Sequence, residues 1–202
     1  MGECIAAARS KVHSCAMSKE KPMMAYTLNN FCDETRAILK KNDNSSGREQ
    51  IRKSLEQLLA DKAFCAEYAG AENNTGMQHI FEDAELNFCV LAYNMESPRI
   101  SPPHDHGTSW AVYGQVAGYT DMTIWRAAEE NEEKIEQVQH FRLEPGQAGL
   151  FDTEEIHSID YPAKSKFIRV TGVDMSKEAR RVFDPITGQV KVVESVGTGS
   201  QK

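Results

Sequence analysis

No apolar run in this 202-residue chain approaches the ~20 residues that span a bilayer. No charged-then-apolar leader ending in a small-residue cleavage site is present. A membrane protein and a secreted protein are therefore both disfavoured. There is no CxxC pair, and the five cysteines (Cys4, Cys15, Cys32, Cys65, Cys89) fall in dissimilar settings. An odd, unpatterned set reads as reduced thiols rather than a disulfide framework or a zinc knuckle, and points to a cytoplasmic, reducing compartment. No basic arm appears either. A net charge of −7 and a pI near 5.4 argue against nucleic acid and anionic membrane as partners. The opening MGECIA resembles a myristoylation signal, but Ala6 stands where Ser or Thr is wanted, and that reading is rejected. Internal repeats and low-complexity tracts are absent.

What is present suits one domain with a sizeable core: 40% hydrophobic residues and a mean hydropathy of −0.53. Residues 1–22 mix small and basic types without periodicity and read as a flexible leader. Residues 23–76 form a helical lead-in. Phe31, Ala37, Ile38 and Leu39 lie in one segment, and Ile51, Leu55, Leu58 and Leu59 repeat at helical spacing in a second. KNDNSSG (41–47) links the two and supplies an N-cap. Over 77–196 the signals are β: LNFCVLAYNM, SWAVYGQVAG, DMTIWRA, IEQVQHFRL, AGLFDT, IHSIDY, KFIRVTGVDM and QVKVVES are short runs separated by turn residues. AAEENEEK (127–134) reads as a solvated hairpin loop, and 197–202 as a flexible tail. The expected architecture is mainly β, an antiparallel barrel or sandwich with an N-terminal helical segment.

Chemistry concentrates in SPPHDHGTSWAVYGQVAGY and, about fifty residues on, FDTEEIHSIDYP. In an extended segment His104 and His106 project from one face, because side chains two apart share a face. Two surface histidines ahead of a strand would give the same tripeptide. Pro102 and Pro103, however, fix an extended approach, Gly107 permits a kink, and His157 follows a similar turn-rich lead. Three imidazoles meeting from neighbouring strands would cap one face of a divalent metal and leave positions for substrate, water or O₂.

Other residues divide between site and core. Asp105 reads as a support that fixes a histidine tautomer or the turn. Trp110 and Trp125 would line a pocket or, like most strand aromatics, pack in the core. Tyr113 lies an odd number of residues from His106, so only a kink at Gly107 would turn it toward the metal. Arg169, in an apolar strand, needs an anion: a substrate carboxylate, or Asp160 or Asp174. His79 and His140 read as ordinary strand histidines.

Together, the strand succession, PPHDHGTSWAVYGQVAGY and EIHSIDYP resemble the cupin superfamily, whose fold is a double-stranded β-helix or jelly-roll barrel, and within it the cysteine-dioxygenase-like branch. The resemblance runs from about Gln78 to Asp174 and extends weakly into ARRVFDPITGQV, a tail similar to that of bacterial predicted metal-dependent enzymes of this fold. It implies that His104, His106 and His157 are iron ligands. No glutamate follows the His-x-His, which implies the three-histidine arrangement of thiol dioxygenases rather than a four-ligand cupin. Ala111 stands where the eukaryotic enzymes carry the cysteine that crosslinks to tyrosine. The late strand reads FIRVTGV instead of their Ser, His, Tyr series, so an acid–base phenol would come from Tyr113 or Tyr161. Counting back from His104, Gln78 falls where the branch holds a side chain that clamps the substrate carboxylate.

The resemblance implies a non-haem Fe(II) dioxygenase acting on a small thiol or related chelating substrate, with O₂ as co-substrate. Imidazoles also accept Mn, Ni or Zn, so a cupin isomerase or lyase using Lewis-acid chemistry, or a small-molecule-binding cupin, remains open. Such a barrel pairs edge to edge as a homodimer unless the helical lead-in covers that edge in a monomer.

Overall fold

The computed structural model describes residues 25–128 and 131–194. The expected leader 1–22 and tail 197–202, with Cys4, His13 and Cys15, lie outside the described residues. No helix among the described residues is long and apolar enough to cross a membrane.

Three helices open the described chain, each started by a side chain that accepts from orphan amides. Thr27 caps α1 (Leu28–Asn42) in a reciprocal capping box with Asn30. Asn44 caps α2 (Ser45–Leu59), accepting from the Ser46 and Gly47 amides. The expected linker 41–47 therefore shrinks to Asp43 and Asn44, with the SSG run inside the helix. Where the sequence suggested two helices there is a third, α3 (Lys62–Ala69), because Asp61 accepts from the Ala63 amide and restarts the helix.

Eleven strands follow among the described residues: β1 (Gly76–Glu82), β2 (Cys89–Met95), β3 (Arg99–Ile100), β4 (Ala111–Ala117), β5 (Thr120–Ala128), β6 (Asn131–Leu143), β7 (Ala148–Phe151), β8 (Ile156–Tyr161), β9 (Ser165–Thr171), β10 (Arg180–Phe183) and β11 (Val190–Val193). They form a five-stranded sheet in the order β1-β2-β9-β4-β7, a four-stranded sheet β3-β8-β5-β6 and the β10-β11 hairpin, with every pair antiparallel. The expected loop 127–134 is mostly strand, since β5 and β6 pair as far as Ala128 with Asn131. β1 lacked a clean alternation in the sequence because a register shift between His79 and Phe81 breaks it. β3 is too short to carry a pattern.

Period two decides what the five-stranded sheet does. Val90, Ala92, Val112, Ile168 and Val170 point to one face and are buried with Phe31, Ile51, Leu55 and Leu58 of the helices. Tyr93, Tyr113 and Phe167 point to the other face, where Ala111, Met122, Leu143, Phe151 and Tyr161 join them in a second core. The helices thus cover one side and the site opens on the other. α2 sits very close to β4. A Cβ at Gly114 would meet Leu55 Cδ2 and Leu59 Cδ1, both at 2.8 Å, so only glycine lets the helix approach without repacking. Leu55 is fully buried in this contact, and Leu55→Ala is expected to cost about 2–5 kcal/mol of unfolding free energy in urea. A loss below about 1 kcal/mol would mean that α2 does not form part of the cooperative core.

Candidate metal centre

The His-Asp-His segment is not a continuous strand. His104 exchanges both backbone hydrogen bonds with His157 of β8, each 2.9 Å. On its other side the Asp105 amide donates to the Arg181 carbonyl at 3.1 Å, and the Phe183 amide to the Pro103 carbonyl at 2.9 Å. The tripeptide is therefore threaded between β8 and β10. The chain then turns at Gly107, where φ is +59° and a Cβ would collide with the Ala179 carbonyl. Asp105 holds this turn. It is buried, accepts from the Gly107 amide at 3.2 Å and the Arg181 amide at 2.8 Å, and pairs with Arg181 Nε at 2.6 Å. Of the two roles expected for Asp105, fixing the turn is the one its contacts support.

The three imidazoles converge. Their donor atoms all lie within 4.8 Å of one another, and no carboxylate or thiol of the described residues joins the cluster. His106 and His157 are 2% and 0% exposed, and His106 Nδ1 and both His157 ring nitrogens have no hydrogen-bond partner. Buried polar atoms are rarely left unpaired. A divalent cation fits this set, since it takes one lone pair from each ring. His104 Nδ1 lies 2.9 Å from the Pro102 carbonyl. That contact requires the proton on Nδ1, and so leaves the Nε2 lone pair for a metal. Phe151 stacks on His157 at 4.1 Å between centroids and walls the centre on one side.

Burial is the main cause that lowers the basicity of all three rings. The neighbouring His157 adds to it at His106, and His104 at His157. His106 and His157 lie well below the ordinary imidazole value of 6.5, so both are neutral and ready to ligate near neutrality. The unfolded chain takes up these protons below about pH 6.5 and the folded chain resists them, so their contribution to stability is full above that value and is lost as pH falls. The urea midpoint of metal-free protein is expected to drop between neutrality and about pH 5, and His157→Gln should flatten that drop. A pH-independent midpoint would contradict the burial of these rings.

A cavity of about 310 Å³ opens beside the centre, with His104, His106, Tyr113, Tyr161 and Arg169 in its wall. Tyr113 does face inward. Its hydroxyl is 3.5 Å from His106 Nε2, because the turn at Gly107 resets the alternation before β4 begins. Arg169 lies opposite Tyr113 in the β4–β9 register and opposite Leu91 in the β2–β9 register. Its guanidinium sits 5.1 Å from the Tyr93 ring centroid and its Nε has no hydrogen-bond partner. Neither acid considered as its structural partner takes it: Asp174 engages Ser176 and Lys177, and Asp160 is exposed on β8 with no ion pair to Arg169. The Tyr161 hydroxyl lies against Arg99.

Two expected substrate contacts are corrected. Gln78 is exposed on β1 and pairs with Ala92, whose side chain faces the helices; the strand's two-residue period turns Gln78 away from the cavity. Trp110 is 3% exposed in the helix-side core, packed against Gly172. Outside the site, Trp125 Nε1 donates to Ser158 Oγ at 3.0 Å, His140 Nδ1 meets Thr123 Oγ1 at 3.0 Å on the surface, and His79 is exposed. Sequence reasoning missed Tyr93, Arg99 and Arg180, which also line the cavity. For Tyr93 the alternation within LNFCVLAYNM carried a usable signal; for the two arginines no local pattern did.

No family model and no curated protein matches the chain. Among solved structures, it is similar to the cupin domain of Schizosaccharomyces pombe Cnp3, with 13% identity and a TM-score of 0.40 over 51% of this chain and 66% of that one. It is similar to KdgF from Halomonas sp., with 14% identity and a TM-score of 0.37 over 47% of this chain and 74% of that one. A cupin superfamily protein from Desulfitobacterium hafniense gives 12% identity and a TM-score of 0.39 over 53% and 87%. The strand order, rather than these distant likenesses, defines the architecture. The chain is an antiparallel β-sandwich, with the five-stranded and four-stranded sheets packed on a shared core. Its three histidines meet where β8, β10 and the β3–β4 connection come together.

Proposed function

We propose that this protein is a non-haem Fe(II)-dependent dioxygenase that adds O₂ to a small thiol or related chelating substrate. The observation that carries this reading is a three-nitrogen cluster without a carboxylate, opening onto a cavity that also holds a phenol and a guanidinium with no carboxylate partner among the described residues. Neutral imidazoles from His104, His106 and His157 would leave Fe(II) its full charge and open positions for substrate and O₂, which is the redox chemistry such a metal supplies. For a thiol, the net reaction of RSH with O₂ to give RSO₂H balances without another co-reactant. The residues around the centre bind and orient. Arg169 holds a substrate carboxylate, Tyr113 holds or moves a proton at its hydroxyl, and Phe151 with the Tyr93–Phe167 pair keeps water out. Ala111 leaves no thiol to crosslink with a tyrosine, so the phenols act uncrosslinked. This reading carries a reducing, cytoplasmic compartment with it.

The test is oxygen consumption by Fe(II)-loaded protein over a set of small thiols, with ¹⁸O₂ label followed into the sulfinate. Incorporation of both labelled atoms supports the proposal. Metal-dependent turnover without O₂, with Mn, Ni or Zn as effective as Fe, would replace it with Lewis-acid isomerase or lyase chemistry. Metal binding with no turnover would leave a binding protein. Arg169→Met should raise the Michaelis constant about tenfold or more for acidic substrates while sparing one that lacks the carboxylate. Equal effects on both would reassign Arg169 to structure.

A further inference from the structure

The described residues include nine arginines, Arg36, Arg48, Arg52, Arg99, Arg126, Arg142, Arg169, Arg180 and Arg181. Six of them, Arg36, Arg48, Arg52, Arg126, Arg142 and Arg181, are paired with a carboxylate of the chain. The other three, Arg99, Arg169 and Arg180, have no carboxylate of the described residues within ion-pair distance, and these three all line the cavity beside the histidines. They reach it from different elements: Arg169 from β9 at the back, Arg99 from β3 and Arg180 from the start of β10. No aspartate or glutamate of the described residues lines the same cavity. In a chain of net charge −7, that places three unneutralised guanidinium groups around one space of about 310 Å³.

Guanidinium groups stay charged and present forked donors that match carboxylate or phosphate oxygens. One monoanion at Arg169 would leave Arg99 and Arg180, which also line the cavity, without a counter-charge there. An ammonium group on the substrate would meet three like charges and no acid to receive it. From the lining we infer that the substrate is a small acid carrying at least two anionic groups and no cationic one. Arg169 takes one group, and Arg99 with Arg180 the second. This inference rests on the reading of the cavity as the substrate site, but not on oxygen chemistry. The second group is a carboxylate or a phosphate, and the same chemistry serves both.

Isothermal titration under nitrogen, with the full chain in its as-isolated metal state, tests this with probes that carry no thiol: succinate, phosphoglycolate, propionate and β-alanine. At least one of the two dianions is expected to bind about tenfold or more tighter than propionate, with β-alanine weaker than propionate. The better dianion tells carboxylate from phosphate. Raising salt should erode the preference. Arg99→Met and Arg180→Met should each reduce the preference for the dianion over propionate several-fold, with circular dichroism confirming that both variants are folded. The inference is overturned if neither dianion binds, if propionate binds as well as both, if β-alanine binds best, or if the two variants bind the dianion as the parent does. Dianion binding together with no O₂ uptake on any thiol, mercaptosuccinate included, would sink the dioxygenase reading alone. O₂ uptake with cysteine or cysteamine while neither dianion binds would sink this inference alone.

Discussion

Alanine at His157 is expected to abolish metal binding while leaving the β-sandwich folded. The three imidazoles are placed to act as one ligand set, their donor atoms within 4.8 Å of one another. Loss of a mere supporting partner of a metal ligand costs about 10–100-fold in metal affinity, so loss of the ligand should cost more than about a hundredfold. His104→Ala and His106→Ala should do the same. Metal content by inductively coupled plasma mass spectrometry, read against circular dichroism and the urea midpoint, separates metal loss from unfolding. His157 is fully buried and stacked on Phe151, so alanine also leaves a hole; His157→Leu fills that hole and should still bind no metal. Any of the three variants that retains full metal shows that its histidine is not a ligand.

The parts of this molecule that were legible in its sequence are those governed by short-range periodicity. Val90 and Ala92, Val112, and Ile168 and Val170 repeat every second residue, and that repeat alone puts them on one face under the amphipathic helices. The N-cap within KNDNSSG, Asn44, marked the start of the second helix for the same local reason, whereas the caps Thr27 and Asp61 of α1 and α3 went unread. The histidines were legible because their spacing and flanking turns are local too. What the sequence did not disclose depends on register and turns. Tyr113 reaches His106 only because Gly107 takes a positive φ, which resets the face of everything after it. Gln78 was placed by counting along the chain, and β1 presents that position to the helix side. Arg99 and Arg180 reach the cavity through the β3–β8 pairing and the β10–His104 bridge, contacts between segments far apart in sequence. An unpaired arginine is not recognisable until every acid in the fold has been placed.

Replacing Tyr113 with phenylalanine is expected to lower turnover by tenfold to ten-thousandfold, about 1.4–5.5 kcal/mol of barrier, with metal content unchanged. The substitution removes one oxygen and keeps the ring, which is 3% exposed and packed edge-on to Phe151. Stability should therefore move by less than about 1.5 kcal/mol, the net worth of an ordinary hydrogen bond. The effect is expected in turnover because that hydroxyl is the phenol beside the centre, 3.5 Å from His106 Nε2, and stands opposite Arg169 in the sheet. Tyr161 makes the contrast. Its hydroxyl lies against Arg99, in the part of the cavity assigned to the second anionic group. Tyr161→Phe should consequently disturb substrate affinity through Arg99 and spare turnover at saturation. Measuring both variants with one substrate separates the two roles. A Tyr113→Phe enzyme that keeps its metal and loses less than threefold in turnover would leave the dioxygenase mechanism without its proton-handling group. A turnover loss confined to Tyr161→Phe would exchange the two assignments, moving the proton to the arginine end of the cavity.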